Sequence, residues 1–163
     1  MFTKKHLGAV LVLPATVSIL VPAILLYFFP MNYGWGAPEP LRYFLAGIGG
    51  FLMLAGIVFW VGSARTFSKL VSGGMVVSGV YRHVRNPMMF GMAALLLGEA
   101  LITGTLMMLL WWALVVASSL VYVPFKEEKS MEARYGPDFA QYKAGVPRWF
   151  PRSSPWRRGR SDE

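Results

Sequence analysis

The run from Met88 to Phe125 constrains the fold more than any other stretch. It is 38 residues long and almost wholly apolar, with Glu99 its single charge. A helix crosses the hydrocarbon core of a bilayer in about 20 residues. Thirty-eight is too many for one crossing and suits two short ones. Thr103-Gly104-Thr105 lies near the middle and supplies a turn. The run therefore reads as a helical hairpin with arms over 87–103 and 105–125, each roughly 25–30 Å long at about 1.5 Å per residue.

Two earlier runs have the same character. Leu7 to Pro30 is apolar apart from Thr16 and Ser18 and is long enough to span. A signal peptide would have an apolar core of about 7–15 residues and a small-residue cleavage site. This run is longer, and no Ala-x-Ala site follows it. Pro14 and Pro22 inside it are tolerated by a membrane helix at the cost of a kink. The second run, 41–64, carries Gly47, Gly49, Gly50 and Gly56, small surfaces for close helix contact, with Gly56 and Trp60 on one face. Only 15% of the chain is charged, against roughly 25% in a soluble domain. The expected fold is an all-α integral membrane protein: one domain, residues 1–163, with four transmembrane helices over 7–30, 41–64, 87–103 and 105–125. The third and fourth form a hairpin, with a connection and a carboxyl-terminal helical segment on the cytoplasmic side.

The basic residues orient it. With four spans, residues 1–6, 65–86 and 126–163 share one side and hold 15 of the 16 Lys and Arg, leaving Arg42 opposite. Basic flanks face the cytoplasm, which places both termini there. The net charge of +8 is then an adaptation to anionic lipid rather than to nucleic acid. The absence of cysteine excludes disulfides, thiolate metal sites and a cysteine nucleophile.

Two polar knots interrupt the apolar pattern, and this topology puts both on the cytoplasmic side. One is Arg82, His83, Arg85 and Asn86, just ahead of Pro87, inside the 22-residue connection 65–86. A connection that long without a strong secondary-structure signal is usually functional or disordered. Pro87 suits the first position of a helix. The other is Lys126-Glu127-Glu128 at the end of the hairpin. From there a helix leaves the membrane and stops at Tyr135-Gly136-Pro137, with a further turn over Asp138–Tyr142. Pro147 to Pro151 is an aromatic-basic strip suited to the interface, and 152–163 reads as a disordered basic tail. A helix start flanked by arginines suits an anion, and a carboxylate pair suits a cation or a diol. A mixed-charge cofactor would satisfy both. No Gly-x-Gly-x-x-Gly or Walker sequence is present, and the two histidines are too few for a metal cluster. An intramembrane carboxylate such as Glu99 is a functional candidate in general. Near the turn, a hydrogen-bonded group at the outer interface is the preferred reading.

Gly79-Val80-Tyr81, Arg85-Asn86-Pro87-Met88-Met89-Phe90-Gly91, Glu127-Glu128, Tyr135-Gly136 with Phe139 and Tyr142, and Val146-Pro147 to Pro151 follow in order over about half the chain. Together they resemble the isoprenylcysteine carboxyl methyltransferase family, whose relatives include phospholipid N-methyltransferases. The resemblance implies S-adenosylmethionine as cofactor, in a pocket built from 70–91 and 126–151. Its contacts would be Gly73, Gly74, Met75, Val76, Tyr81, Asn86, Pro87, Met89 and Glu127. It implies a membrane-lipid or other apolar acceptor entering from the bilayer, and methyl transfer to a carboxyl oxygen or a phospholipid amine. Asn86 stands where the family pattern has His, and Met89 where it has Tyr. Val123 stands where the eukaryotic carboxyl methyltransferases have Arg. The attack needs alignment more than side-chain chemistry. Glu128 is the single candidate for a base, and no metal is implied. Two other readings stay open: an NADPH-dependent reductase akin to membrane sterol reductases, with Arg82 and Arg85 on phosphate, and a non-catalytic membrane protein.

Overall fold

A computed structural model describes residues 12, 14–70, 75 and 77–157 of the chain, with the side chains of 67–70 left undescribed. The described residues are helical, with no strand among them. Helix α1 is Thr16–Phe28. Helix α2 is Glu39–Leu70 and α3 is Pro87–Thr103. Helix α4 is Leu106–Tyr135 and α5 is Pro137–Gly145. Two of them, over Glu39–Thr66 and Leu106–Tyr135, are long and apolar enough to cross a membrane, while α1 and α3 are shorter apolar helices.

The expected hairpin is present: its first arm is Pro87–Thr103, and its second begins at Leu106 and continues as one helix past residue 125 to Tyr135. Gly104 closes α3 with φ +62° and donates its N–H to Ala100 O. Only glycine adopts this backbone at no steric cost, and there is a second reason for it. A Cβ at Gly104 would overlap Asn32 O, because the α1–α2 link docks on the turn and Asn32 N–H donates to Thr103 O at 3.0 Å. The link and the turn therefore occupy one end of the bundle, and both polar knots occupy the other.

Prolines shape two helices. Pro22 lacks an N–H, and the turn before it, Thr16–Leu20, is wound as a π-helix in which Val21 N–H reaches back to Thr16 O. In that register Val17 O would have paired with Pro22. It accepts instead from Trp111 Nε1 of α4 at 3.0 Å. Pro124 likewise sits in a π-turn, Val123–Glu127, inside α4. Such turns absorb a proline without ending the helix. As a result α4 runs unbroken from the apolar run into its charged extension.

Helix α3 is the centre. Its buried residues include Gly91, Met92, Leu96, Gly98 and Ala100, and it packs along α2. Two reciprocal glycine contacts bring the backbones together. A Cβ at Gly56 would lie 2.6 Å from Gly91 O, and one at Gly91 2.8 Å from Gly56 O. Gly49 and Gly98 oppose each other in the same way seven residues along. The packing role expected of Gly49 and Gly56 is present. Gly47 and Gly50 meet nothing within 4 Å. The outer faces are inverted relative to a soluble protein, with Phe51, Leu54, Leu114 and Phe125 more than half exposed. Exposed apolar surface on this scale marks a contact with lipid or partner.

Three expectations need adjusting. Helix α2 continues past residue 64 to Leu70, so the connection is shorter than 65–86. The turn expected over Asp138–Tyr142 is a nine-residue helix, α5. The tail expected to be disordered from Arg152 is hydrogen-bonded as far as Trp156. Its last residues, 158–163, lie outside the described ones, as do 1–11.

Candidate functional site

The end of the connection is a short 3₁₀ turn, Gly79–Arg82, entered through Gly79 at φ +56°. It lies against α2, where the Tyr81 and Ser63 hydroxyls share a hydrogen bond at 2.9 Å. Helix α5 reaches it from the other side, with the Tyr142 hydroxyl donating to Tyr81 O at 2.8 Å. Burial pushes the Tyr142 hydroxyl's pKa far up, so it stays a donor, with Tyr81 adding to the shift.

Residues 147–156 then pass back over the connection as a strap. Arg85 N–H donates to Pro147 O, Arg152 N–H to His83 O and Trp156 N–H to Arg82 O, each at 2.9 Å. Side chains repeat the pattern. Arg82 Nε donates to Trp156 O at 2.8 Å, and His83 Nδ1 lies 2.8 Å from Arg152 O. These contacts join parts of the chain about 60–75 residues apart, and Val84 among them is completely buried. A Cβ at Gly145 would overlap the Trp156 indole, so the strap closes over α5 only because that residue is glycine.

The acidic pair divides. Glu128 is 4% exposed. It accepts two hydrogen bonds from Arg148, from Nε at 2.8 Å and Nη2 at 2.7 Å. Arg85 Nη1 lies 3.2 Å from Glu128 Oε1. Burial alone would lower the Arg85 pKa, and Glu128 opposes that. The Glu128 bond raises the Arg148 pKa. This ion triad joins the start of α3, the exit of α4 and the strap. It is the bridge between the two polar knots.

Among the described residues Glu127 has no such partner. Its Oε2 is buried without a hydrogen bond, as are Asn86 Nδ2 and Arg85 Nε and Nη1. The Tyr81 hydroxyl registers Glu127 nearby. Its pKa is raised chiefly by burial, lowered by the Ser63 bond, and raised again by the Glu127 charge. Buried donors and an acceptor without a hydrogen bond among the described residues, one of them the Arg85 Nη1 that is ion-paired with Glu128, are thus collected at one end of the bundle. A buried polar atom left unmatched costs about 1–3 kcal/mol, so a cluster of them marks a place for a polar ligand.

The sequence-derived residues separate accordingly. Tyr81, Asn86, Pro87 and Glu127 lie in this region, with Asn86 capping α3 by position and Pro87 in its first turn as expected. Met89 turns to the hairpin, where Ser119 Oγ–H donates to its sulfur at 3.6 Å. Met75 packs instead on Phe139, Tyr142 and Val146. It lines a cleft of about 430 Å³ with Gly79, Arg82 and Trp156, whose walls do not include Asn86, Met89 or Glu127. Gly73, Gly74 and Val76 lie outside the described residues. Among the described residues no cluster of His, Cys, Asp and Glu could hold a metal. The Arg148–Glu128–Arg85 triad and the strap were not foreseen. The signal available was two arginines placed to neutralise a carboxylate too apolar in its surroundings to stand alone.

A family model, phospholipid methyltransferase, matches residues 48–138. That is more than half the chain, and it runs from the glycine face of α2 through the connection, the hairpin and the acidic pair. The chain belongs to the phospholipid methyltransferase family. No curated protein and no solved structure matches it. The family places methyl transfer to a lipid-like substrate behind the geometry, and it agrees with the resemblance read from the motifs. The matched region ends at the start of α5, so most of α5 and the strap lie beyond it.

Proposed function

We propose that this protein transfers a methyl group from S-adenosylmethionine to a lipid-like acceptor at the cytoplasmic face of a membrane that it crosses four times, with both termini inside. The observation that carries the reading is the set of buried polar atoms on Arg85, Asn86 and Glu127 that have no hydrogen bond among the described residues. They fit the cofactor's chemistry. Its carboxylate needs N–H donors, which Asn86 and Arg85 offer. Its ribose hydroxyls or ammonium need an acceptor, which Glu127 offers. Tyr81 and Pro87 border the same region, and Met75, Met89, Gly73, Gly74 and Val76 remain proposed contacts.

The bound cofactor supplies a methyl group already activated as a sulfonium. The protein's part is to align it and keep water out. The triad fixes the start of α3 against the exit of α4, and the strap covers the connection. Glu128, the candidate base, has both oxygens engaged by Arg148. We assign it to positioning, by holding Arg85 and the strap. A carboxylate acceptor needs no base at all. Arg82, which a reductase would use for phosphate along with Arg85, already donates its Nε–H to Trp156 O.

The test is incubation of the purified protein with methyl-labelled S-adenosylmethionine and a membrane lipid extract. A labelled lipid is the expected product, and its chemistry separates carboxyl from amine acceptors. An unlabelled extract, with saturable NADPH binding, would replace this reading with the reductase.

A further inference from the structure

The exit of α4 has two unlike faces. One carries Glu127 and Glu128, which the site above uses. The other carries Tyr122, Phe125, Lys126 and Lys129, all four exposed. Residues three, four and seven apart on a helix share a side, so these four form one stripe. The stripe continues the exposed apolar side of α4, on which Leu114 and Val121 precede Phe125. Within it each lysine folds back over the ring four residues earlier. Lys126 Nζ lies 5.8 Å from the centroid of the Tyr122 ring, and Lys129 Nζ lies 5.8 Å from that of Phe125. Neither lysine has an ion pair among the described residues. The exposed carboxylate that follows, Glu132, pairs with Lys143 of α5 at 3.7 Å.

With α4 crossing a bilayer, as proposed above, the depth of the stripe follows from length. Leu106 to Phe125 is 20 residues, about 30 Å of helix, and a hydrocarbon core is about 30 Å thick. Phe125 then lies at the edge of the core. Lys126 and Lys129 lie within the next turn, at the depth of lipid phosphates. Two ammoniums there complement a phosphodiester whose acyl chains run along Leu114, Val121 and Phe125. A zwitterionic headgroup is a poorer match. It brings a cation of its own, which the lysines repel, and the ring faces that could hold that cation are already taken by Lys126 and Lys129.

We propose that the outer face of the α4 exit is a binding site for an anionic phospholipid, separate from the methyl-transfer site. Lys126 and Lys129 hold the phosphate, and Phe125 and the apolar side of α4 take the chains. The inference rests on α4 crossing the membrane and is independent of the cofactor.

The test uses the full chain in detergent without S-adenosylmethionine, so loss of lipid binding and loss of methyl transfer are separate results. Native mass spectrometry counts bound lipid as dioleoyl phosphatidylglycerol or dioleoyl phosphatidylcholine is titrated in. The anionic lipid should bind about tenfold more tightly. A lysine beside an anionic lipid contributes about fivefold, so Lys126→Ala and Lys129→Ala should each lose that factor and the double variant roughly thirtyfold. Replacing both lysines by arginine keeps the charge and should preserve binding. Lys143→Ala removes the same charge from α5 and should change nothing. Glycerol 3-phosphate at the lipid's concentration should not displace it. Equal binding of the two lipids, wild-type binding in the double alanine variant, or an equal loss in Lys143→Ala would overturn the proposal. Displacement by glycerol 3-phosphate would reveal a site for free phosphate instead and would overturn it as well.

Discussion

The two ends of the bundle are built on different terms. At the link-and-turn end, two short loops meet backbone to backbone. Asn32 N–H caps Thr103 O, and Gly104 leaves room for Asn32 O. The one ion pair described there, Arg42 with Glu39 at 3.4 Å, is exposed and local. At the other end, a strap from the far carboxyl side ties down the connection, a three-member ion network closes on the buried Glu128, and Arg85, Asn86 and Glu127 still carry buried polar atoms with no hydrogen bond among the described residues. The first end is finished by the chain alone. The second is tied together at more points than closure requires, yet left incomplete in its hydrogen bonding, as a site prepared for a polar ligand is.

Substitutions should expose that difference. The largest effect on stability is expected from Glu128→Ala. It leaves Arg85 and Arg148 without their shared carboxylate, and breaking a buried ion pair from one side costs about 3–5 kcal/mol. Thermal unfolding in nanodiscs should fall markedly, and limited proteolysis should release the strap. Gly98→Val comes next. Its side chain would meet Gly49 O and Met53, and such overpacking costs about 1–3 kcal/mol. This change lies between the ends and should loosen both. Gly104→Ala forces φ +62° on an alanine and sets its Cβ on Asn32 O, with a loss of about 1–2 kcal/mol. Cofactor affinity should be preserved, because only the finished end is disturbed. Tyr142→Phe removes one hydrogen bond to Tyr81 O, about 1 kcal/mol, and should raise hydrogen exchange in the connection. Arg42→Ala should change neither unfolding temperature nor activity, since an exposed pair contributes about 0–1 kcal/mol. A fall in activity in Arg42→Ala would erase the contrast between the ends.

The parts of this plan that repeat locally could be read directly. The apolar run 88–125, split at Gly104, gave the hairpin and the first arm's bounds, while the second helix runs on to Tyr135. Pro87 marked the first turn of α3, and the glycines of α2 announced a close neighbour. Length and composition carry such features. What could not be read depends on partners distant in the chain. Nothing near Glu127 or Glu128 distinguishes them, yet Arg148 and Arg85 occupy one and leave the other unpaired. Residues 152–156 have the composition of a tail and become a strap because Gly145 admits Trp156 and because the backbone of 82–85 is free to pair. The extension of α2 to Leu70 was hidden by its polar residues, which end an apolar pattern without ending a helix. Met89 meets Ser119 of α4 and Met75 packs on α5, and spacing alone gave no hint of either contact.

The account turns on Glu127 being unpaired because a ligand completes it. Titration of S-adenosylhomocysteine into the wild-type protein and Glu127→Ala, followed by calorimetry in nanodiscs, tests this most directly. A charge-assisted hydrogen bond is worth about 1.5–3 kcal/mol, so the variant should bind roughly tenfold to a hundredfold more weakly while unfolding at the wild-type temperature. Equal affinity in the two proteins would contradict the account.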